Sequence, residues 1–148
     1  AAPPPPARHA AFEEYCECIF ELREDDLDVI QARIAERLNV SRPAVSEMMR
    51  RLDAEGLVTV SGSAIKLTAT GEALAQRTVR RHRLAERFLT DVLGLSWAEA
   101  HHEAGKWEHV MSDAVEAAMD RAPPPPPRSR RRPRVVPAAP PPHRPTAP

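Results

Sequence analysis

Phe12, Tyr15, Ile19 and Leu22 recur at helical spacing and predict a helix over Phe12–Leu22. Glu14, Glu17 and Cys18 are spaced three and four residues apart on another face of it. Ile30, Ile34, Ala35 and Leu38 form the stripe of a second helix, Val29–Leu38, which Asn39-Val40 breaks. Ser41 can cap a third helix by accepting an orphan backbone N–H, and Pro43 costs little within a first turn. That helix turns Val45, Met48, Met49 and Leu52 inward, runs to about Glu55 and stops at Gly56. Leu57–Val60 and Ala64–Leu67 are β-rich tetrads joined by Ser61-Gly62-Ser63, the pattern of a hairpin. A long helix is expected from Gly71 to Leu93, stopped by Gly94. Ser96 and Glu99 make a capping box for a helix over Trp97–His109, and Ser112-Asp113 opens a short one to Arg121, which Pro123 ends.

Proline placement separates this helical middle from the two ends. Of 17 prolines, four lie in Pro3–Pro6 and twelve in Pro123–Pro148; only Pro43 lies between. Residues 1–10 and 123–148 are therefore expected to be disordered. The tail carries six arginines and no acid, so it reads as a basic, polyproline-II-like segment, or as the product of a truncation or frameshift. Residues 13–121 hold 21 acids against 14 bases, a deficit of seven that the zero net charge of the whole chain conceals. No run of 18 apolar residues exists and no secretory signal is visible, which points away from a membrane and to the cytoplasm. Cys16 and Cys18 form no disulfide framework.

Two short helices with a tight turn, then a hairpin, are the plan of a winged helix-turn-helix, expected over residues 11–70. The second helix of the pair can enter the major groove of double-stranded DNA. The candidate DNA-facing set is Gln31 and Ala32 in the first helix of the pair, with Ser41, Arg42, Pro43, Ala44, Ser46, Glu47, Arg50 and Arg51 on the second. The arginines suit phosphate, whereas Glu47 repels it and can instead accept from cytosine N4.

The stretch after the hairpin places His82 and Glu86 one helical turn apart, and His101, Glu108 and His109 on the next helix. Imidazole with carboxylate suits divalent Fe, Mn, Co, Ni or Zn, and Glu14 and Glu17 can complete such a site from the first helix. A surface hydrogen bond is the ordinary role of one His/Glu pair; the combination over two helices sets metal binding beside it as an equal alternative. Phe88, Leu89, Val92, Leu93 and Trp107 form an apolar set that serves a dimer surface, the core, or both.

The strings ARIAERL (Ala32–Leu38), SRPAVS (Ser41–Ser46), RHRLAERFLTDVLGL (Arg81–Leu95) and HEAGKWEHVMSD (His102–Asp113) resemble the diphtheria toxin repressor and iron-dependent regulator family. The resemblance covers Tyr15–Val115. It implies a mainly α protein, with an N-terminal winged helix-turn-helix and a helical metal-binding and dimerisation domain over residues 71–122; many members add an SH3-like third domain, which nothing after Pro123 resembles, so none is expected here. It implies a homodimeric repressor of metal homeostasis genes that grips a palindromic operator when loaded with Fe2+ or Mn2+, with Co2+, Ni2+ or Zn2+ possible in vitro.

Residue by residue, the resemblance carries an ancillary metal site onto His82, Glu86 and His101, and a primary site onto Glu108 and His109. It carries a further primary ligand onto Glu14, which with Glu17 is closer to the manganese-responsive branch. The position that is Cys or Glu in the family is Gly105, which offers only its carbonyl; Cys18, Glu17 or water would stand in. The family's base-facing Gln is Glu47. An ion joining the first helix to the dimerisation domain would set the spacing of two reading helices. Competing readings are a winged-helix regulator sensing redox or a small molecule through Cys16 and Cys18, a truncated non-functional remnant, and a metal-dependent hydrolase. The last is disfavoured because no H-E-x-x-H string is present.

Overall fold

The computed structural model describes residues 6–123. The disorder expected of residues 1–5 and 124–148 lies outside the described residues. Helices α1 (Pro6–Glu24), α2 (Gln31–Leu38) and α3 (Arg42–Ala54) precede strands β1 (Val58–Ser61) and β2 (Ala64–Leu67). Helices α4 (Ala69–Asp91), α5 (Trp97–Val110) and α6 (Asp113–Arg121) complete the order. One expectation is corrected at the start: α1 begins at Pro6, inside the segment read as disordered. A proline at a helix's first position gives up an N–H that has no intrahelical partner anyway, so it starts a helix as readily as it ends one.

The local signals act as chemistry requires. Asn39 takes a left-handed conformation (φ 53°) and ends α2. Ser41 Oγ accepts from Ala44 N at 3.2 Å to open α3. Gly56 (φ +72°) makes the left-handed turn into the hairpin. The strands are antiparallel with Val58 opposite Leu67 and Val60 opposite Ile65. β1 begins one residue later than the tetrad predicted. Gly71 lets α4 start hard against this wing, because a Cβ there would sit 1.9 Å from the Leu57 carbonyl oxygen.

Two apolar clusters result. Tyr15, Ile19 and Leu22 of α1 meet Ile34 of α2, Val45, Met49 and Leu52 of α3, Val58 and Ile65 of the hairpin, and Ala75 of α4. The second joins Ala85 and Leu89 of α4 to Ala100 and Ala104 of α5 and to Met111. Helix α4 runs through both. Buried Arg81 fastens α6 to it: Nη1 donates to the Met111 carbonyl at 2.7 Å, Nε to Glu116 at 2.8 Å and Nη2 to Asp113 at 2.5 Å. Among the described residues no further β-rich domain follows α6, and no helix is long and apolar enough to cross a membrane.

Candidate metal centre

Helices α1, α4 and α5 converge on a cleft lined by Glu14, Glu17, Cys18, His82, His101, Gly105, Glu108 and His109. The tight packing of α4 on α5, through alanines 85, 100 and 104, sets the spacing of the imidazole and carboxylate side chains above it. One set of donor atoms, on Glu17, His82 and Glu108, lies within 4.8 Å of one another and joins all three helices. A second set of the same closeness, on His82, Glu86 and His101, uses α4 and α5 only.

The contacts are short and directed. His82 Nδ1 lies 2.6 Å from Glu108 Oε2. The other ring nitrogen, Nε2, is paired with Glu86 and lies 3.1 Å from His101 Nδ1. His101 Nδ1 is also 3.1 Å from Glu86 Oε1, and its ring stacks on Trp97 with centroids 5.4 Å apart. His109 Nε2 is 3.3 Å from Glu108 Oε1, while its Nδ1 is 2.7 Å from Glu13 Oε2.

The electrostatics are those of a carboxylate-rich cleft whose wall also carries Arg37 and Lys106. Burial, then the hydrogen bond and charge of Glu108, push the Glu17 carboxyl up to about 10. Burial would lower the His82 imidazole, but Glu108 and Glu86 outweigh it and raise it above its ordinary value. Glu13, against the opposing effect of burial, raises His109, and the Glu108 and Glu14 charges add to the rise. Glu108 is 3% exposed and faces Glu17. Two carboxyl groups held together at depth, flanked by imidazoles, are the donor chemistry of a borderline or hard divalent cation, and these residues fit one.

Glu17 is therefore the donor that α1 delivers to this cluster. Glu14 is exposed and lines the cleft within electrostatic reach of His109, but stands outside both converging sets. Gly105 faces the cleft with nothing within 4 Å of where a Cβ would be.

Cys18 lines the same cleft, but it is 2% exposed, packs in the first cluster and joins neither donor set. Burial pushes the Cys16 and Cys18 thiols up to about 12, so neither is poised as a redox thiolate. Of the apolar set, Leu89 takes the core role, at 2% exposure. Phe88 and Trp107 are half-buried with ring centroids 6.0 Å apart, and Val92 and Leu93 are more than half exposed. Glu13 was not anticipated. Its signal was its place one helical turn before Glu17.

At the start and along one face of α3, Ser41, Arg42, Pro43, Ala44, Glu47, Arg50 and Arg51 are all exposed. Ser46 is half-buried, as are Gln31 and Ala32 at the start of α2. Arg51 lies 3.5 Å from Glu47, whereas among the described residues Arg42 and Arg50 have no ion-pair partner.

Comparison with known proteins matches residues 9–64 to the iron-dependent repressor N-terminal DNA-binding domain, and residues 68–124 to its metal-binding and dimerisation domain. The chain is 49% identical over 108 residues to the diphtheria toxin repressor of Corynebacterium jeikeium, covering 72% of this chain and 45% of that protein. It is 50% identical over 105 residues to the iron-dependent repressor IdeR of Mycobacterium tuberculosis, covering 70% and 46%. The chain thus spans about half the length of the curated relatives it matches. Among solved structures, the manganese regulator SloR superposes with a TM-score of 0.67 at 40% identity, over 74% of this chain and 51% of that one. A manganese-dependent transcriptional repressor in complex with manganese gives 0.69 at 39% identity, over 74% and 50%.

Proposed function

The chain belongs to the iron-dependent repressor family over residues 9–64 and 68–124, and on that footing we propose that it is a dimeric, DNA-binding transcriptional repressor activated by Mn2+ or Fe2+. The observation that carries this reading is the meeting of Glu17 from α1, His82 from α4 and Glu108 from α5 within 4.8 Å. The residues that would hold the ion there are Glu17, His82 and Glu108, with His109 and Glu14 on the same cleft wall. A bound divalent cation supplies the positive charge that lets carboxylates from two parts of the chain sit together.

The chain's own residues do the rest. Tyr15, Ile19 and Leu22 join α1 to α2, the hairpin, α3 and the start of α4 in one apolar cluster, so the pose of α1 is passed to the reading helix. Glu108 and His109 ride on α5, packed on α4. Fixing α1 against α5 therefore fixes the direction of α3. In a dimer joined through Phe88, Val92, Leu93 and Trp107, that direction sets the distance between two reading helices. A palindromic operator accepts only spacings near one helical turn of DNA or its multiples. Metal affinity that differs between the fixed and loose arrangements couples the two sites. At the DNA, Arg42 and Arg50 suit phosphates and Glu47, held by Arg51, suits a base edge.

Selection from a random duplex pool tests this reading. The full chain is presented anaerobically with Mn2+, with Fe2+, or with chelator. A palindromic sequence enriched only with metal supports it; equal enrichment in chelator, or none anywhere, overturns it.

A further inference from the structure

Helix α3 buries Val45, Met49 and Leu52, and at ~100° per residue these fix its inner side. The position opposite them is Glu47, flanked by Pro43, Ala44, Arg50, Arg51 and Ala54, all exposed. The side chain farthest from the core, at the crown of the reading helix, is therefore a carboxylate. One turn before it the crown carries only the small side chains of Pro43 and Ala44, so the helix can seat closely there. One turn after it, Arg51 lies 3.5 Å from Glu47, and both side chains are more than half exposed. An exposed pair of this kind adds little to stability, so folding does not account for an acid at this place.

A carboxylate facing a major groove has few options. It is an acceptor only, and phosphates repel it. The donors on the groove floor are N4 of cytosine and N6 of adenine. Adenine sets the acceptor N7 beside N6, which a side-chain amide satisfies with its own N–H and a carboxylate cannot. Cytosine presents its N4 donor with no acceptor of its own beside it.

We propose that Glu47 is a specificity-determining residue that selects cytosine at one position of each half-site, and that Arg51 is the positioning residue that holds its carboxylate over that base. The Arg51 charge also offsets the repulsion of an acid brought between two phosphate backbones. This inference rests on the repressor reading above and adds which base the reading helix requires and which pair of side chains requires it.

The test is selection from a random duplex pool by the full chain with Mn2+, for the parent, Glu47→Gln, Arg51→Met, Arg51→Lys and Arg50→Met. Fluorescence anisotropy then compares duplexes that differ only at the selected base pair. The parent is expected to require one cytosine per half-site, and replacing that pair should weaken binding by about 5- to 150-fold. Glu47→Gln is expected to move the preference at that position from cytosine to adenine. Arg51→Met should shrink the cytosine margin and Arg51→Lys should restore most of it. Arg50→Met should weaken all duplexes alike and lower the salt dependence, with the margin kept. Identical base preferences in the parent and Glu47→Gln would overturn the inference and leave the repressor reading standing. So would a parent preference for another base at the position that Glu47→Gln alters. An undiminished cytosine margin in Arg51→Met would overturn the positioning role. If the parent with metal enriches no sequence, the repressor reading fails as well. Each substituted side chain is exposed, and circular dichroism of each variant establishes that it is folded.

Discussion

Glu13 Oε2 lies 2.7 Å from His109 Nδ1, a contact between residues 96 positions apart that ties the buried side of α1 to α5. Because Glu13 takes Nδ1, the remaining nitrogen of His109, Nε2, is left facing Glu108 at 3.3 Å. Glu13 is thus a positioning residue: it orients an imidazole at the cleft without standing in either donor set.

Glu13→Gln is expected to weaken Mn2+ binding by about 10- to 100-fold, the usual effect of losing a partner of this kind. Mn2+ titration followed by electron paramagnetic resonance measures it. An unchanged affinity would show that His109 needs no such orientation.

The metal-free chain is expected to lose stability as pH rises. Glu17 is raised from 4.5 to about 10 in the folded state, chiefly by burial and then by Glu108, so the fold binds a proton that the unfolded chain releases. Its contribution is full below about pH 4.5, the unfolded value, and is lost progressively towards 10. His82 and His109 are also raised, and act in the same direction above their unfolded value. Thermal unfolding in chelator should give a lower Tm at about pH 8.5 than at about pH 6, two points inside that window, with a flatter slope in Glu17→Gln. Metal affinity should run the opposite way and rise with pH, because protons compete for the same donors. A metal-free Tm that climbs over this window would contradict the buried carboxyl pair.

Gly105→Glu is expected to tighten Mn2+ binding by about tenfold or more, the scale on which changes around a metal site act. A Cβ at 105 meets nothing within 4 Å, and the position opens on the cleft beside Glu108 and His109. Replacing glycine inside α5 should also stabilise the metal-free helix by about 0.5–1 kcal/mol. Isothermal titration and unfolding in chelator read the two effects separately.

Cys16 and Cys18 should resist thiol reagents in the native chain at neutral pH and react fully once it is unfolded. Both are at most 2% exposed and their thiols are pushed up to about 12. DNA binding should be unchanged after exposure to an alkylating reagent. Rapid native labelling with loss of binding would revive a redox role.

Much of the fold was legible because its signals are local. The Ser41 cap, the Ser96/Glu99 capping box, Asn39, Gly56 and the Ser112 cap each act within a turn of themselves, and each ended or opened the element expected. The donor set was legible as residue types at helical spacing on α4 and α5. What stayed hidden depends on the rotation of α1 against the rest. Phe12, Tyr15, Ile19 and Leu22 mark one buried line, but α1 packs against the hairpin, α2, α4 and α5 and is buried nearly all round. That places Cys18 in the core and Glu13 in a polar contact with His109, where the one-face reading put Cys18 towards a ligand position and missed Glu13. Leu89 followed the same logic, since an apolar stripe does not say which of its members a neighbouring helix will cover first.

The most direct test of the central claim is fluorescence anisotropy of the selected operator duplex with the full chain, with Mn2+ or with chelator, repeated for Glu108→Gln. The account predicts that Mn2+ tightens binding by about 5- to 150-fold, the ordinary range of coupling between two sites, and that Glu108→Gln abolishes the response while keeping weak, salt-sensitive binding. Equal affinity in Mn2+ and chelator, or an undiminished metal response in Glu108→Gln, would contradict it.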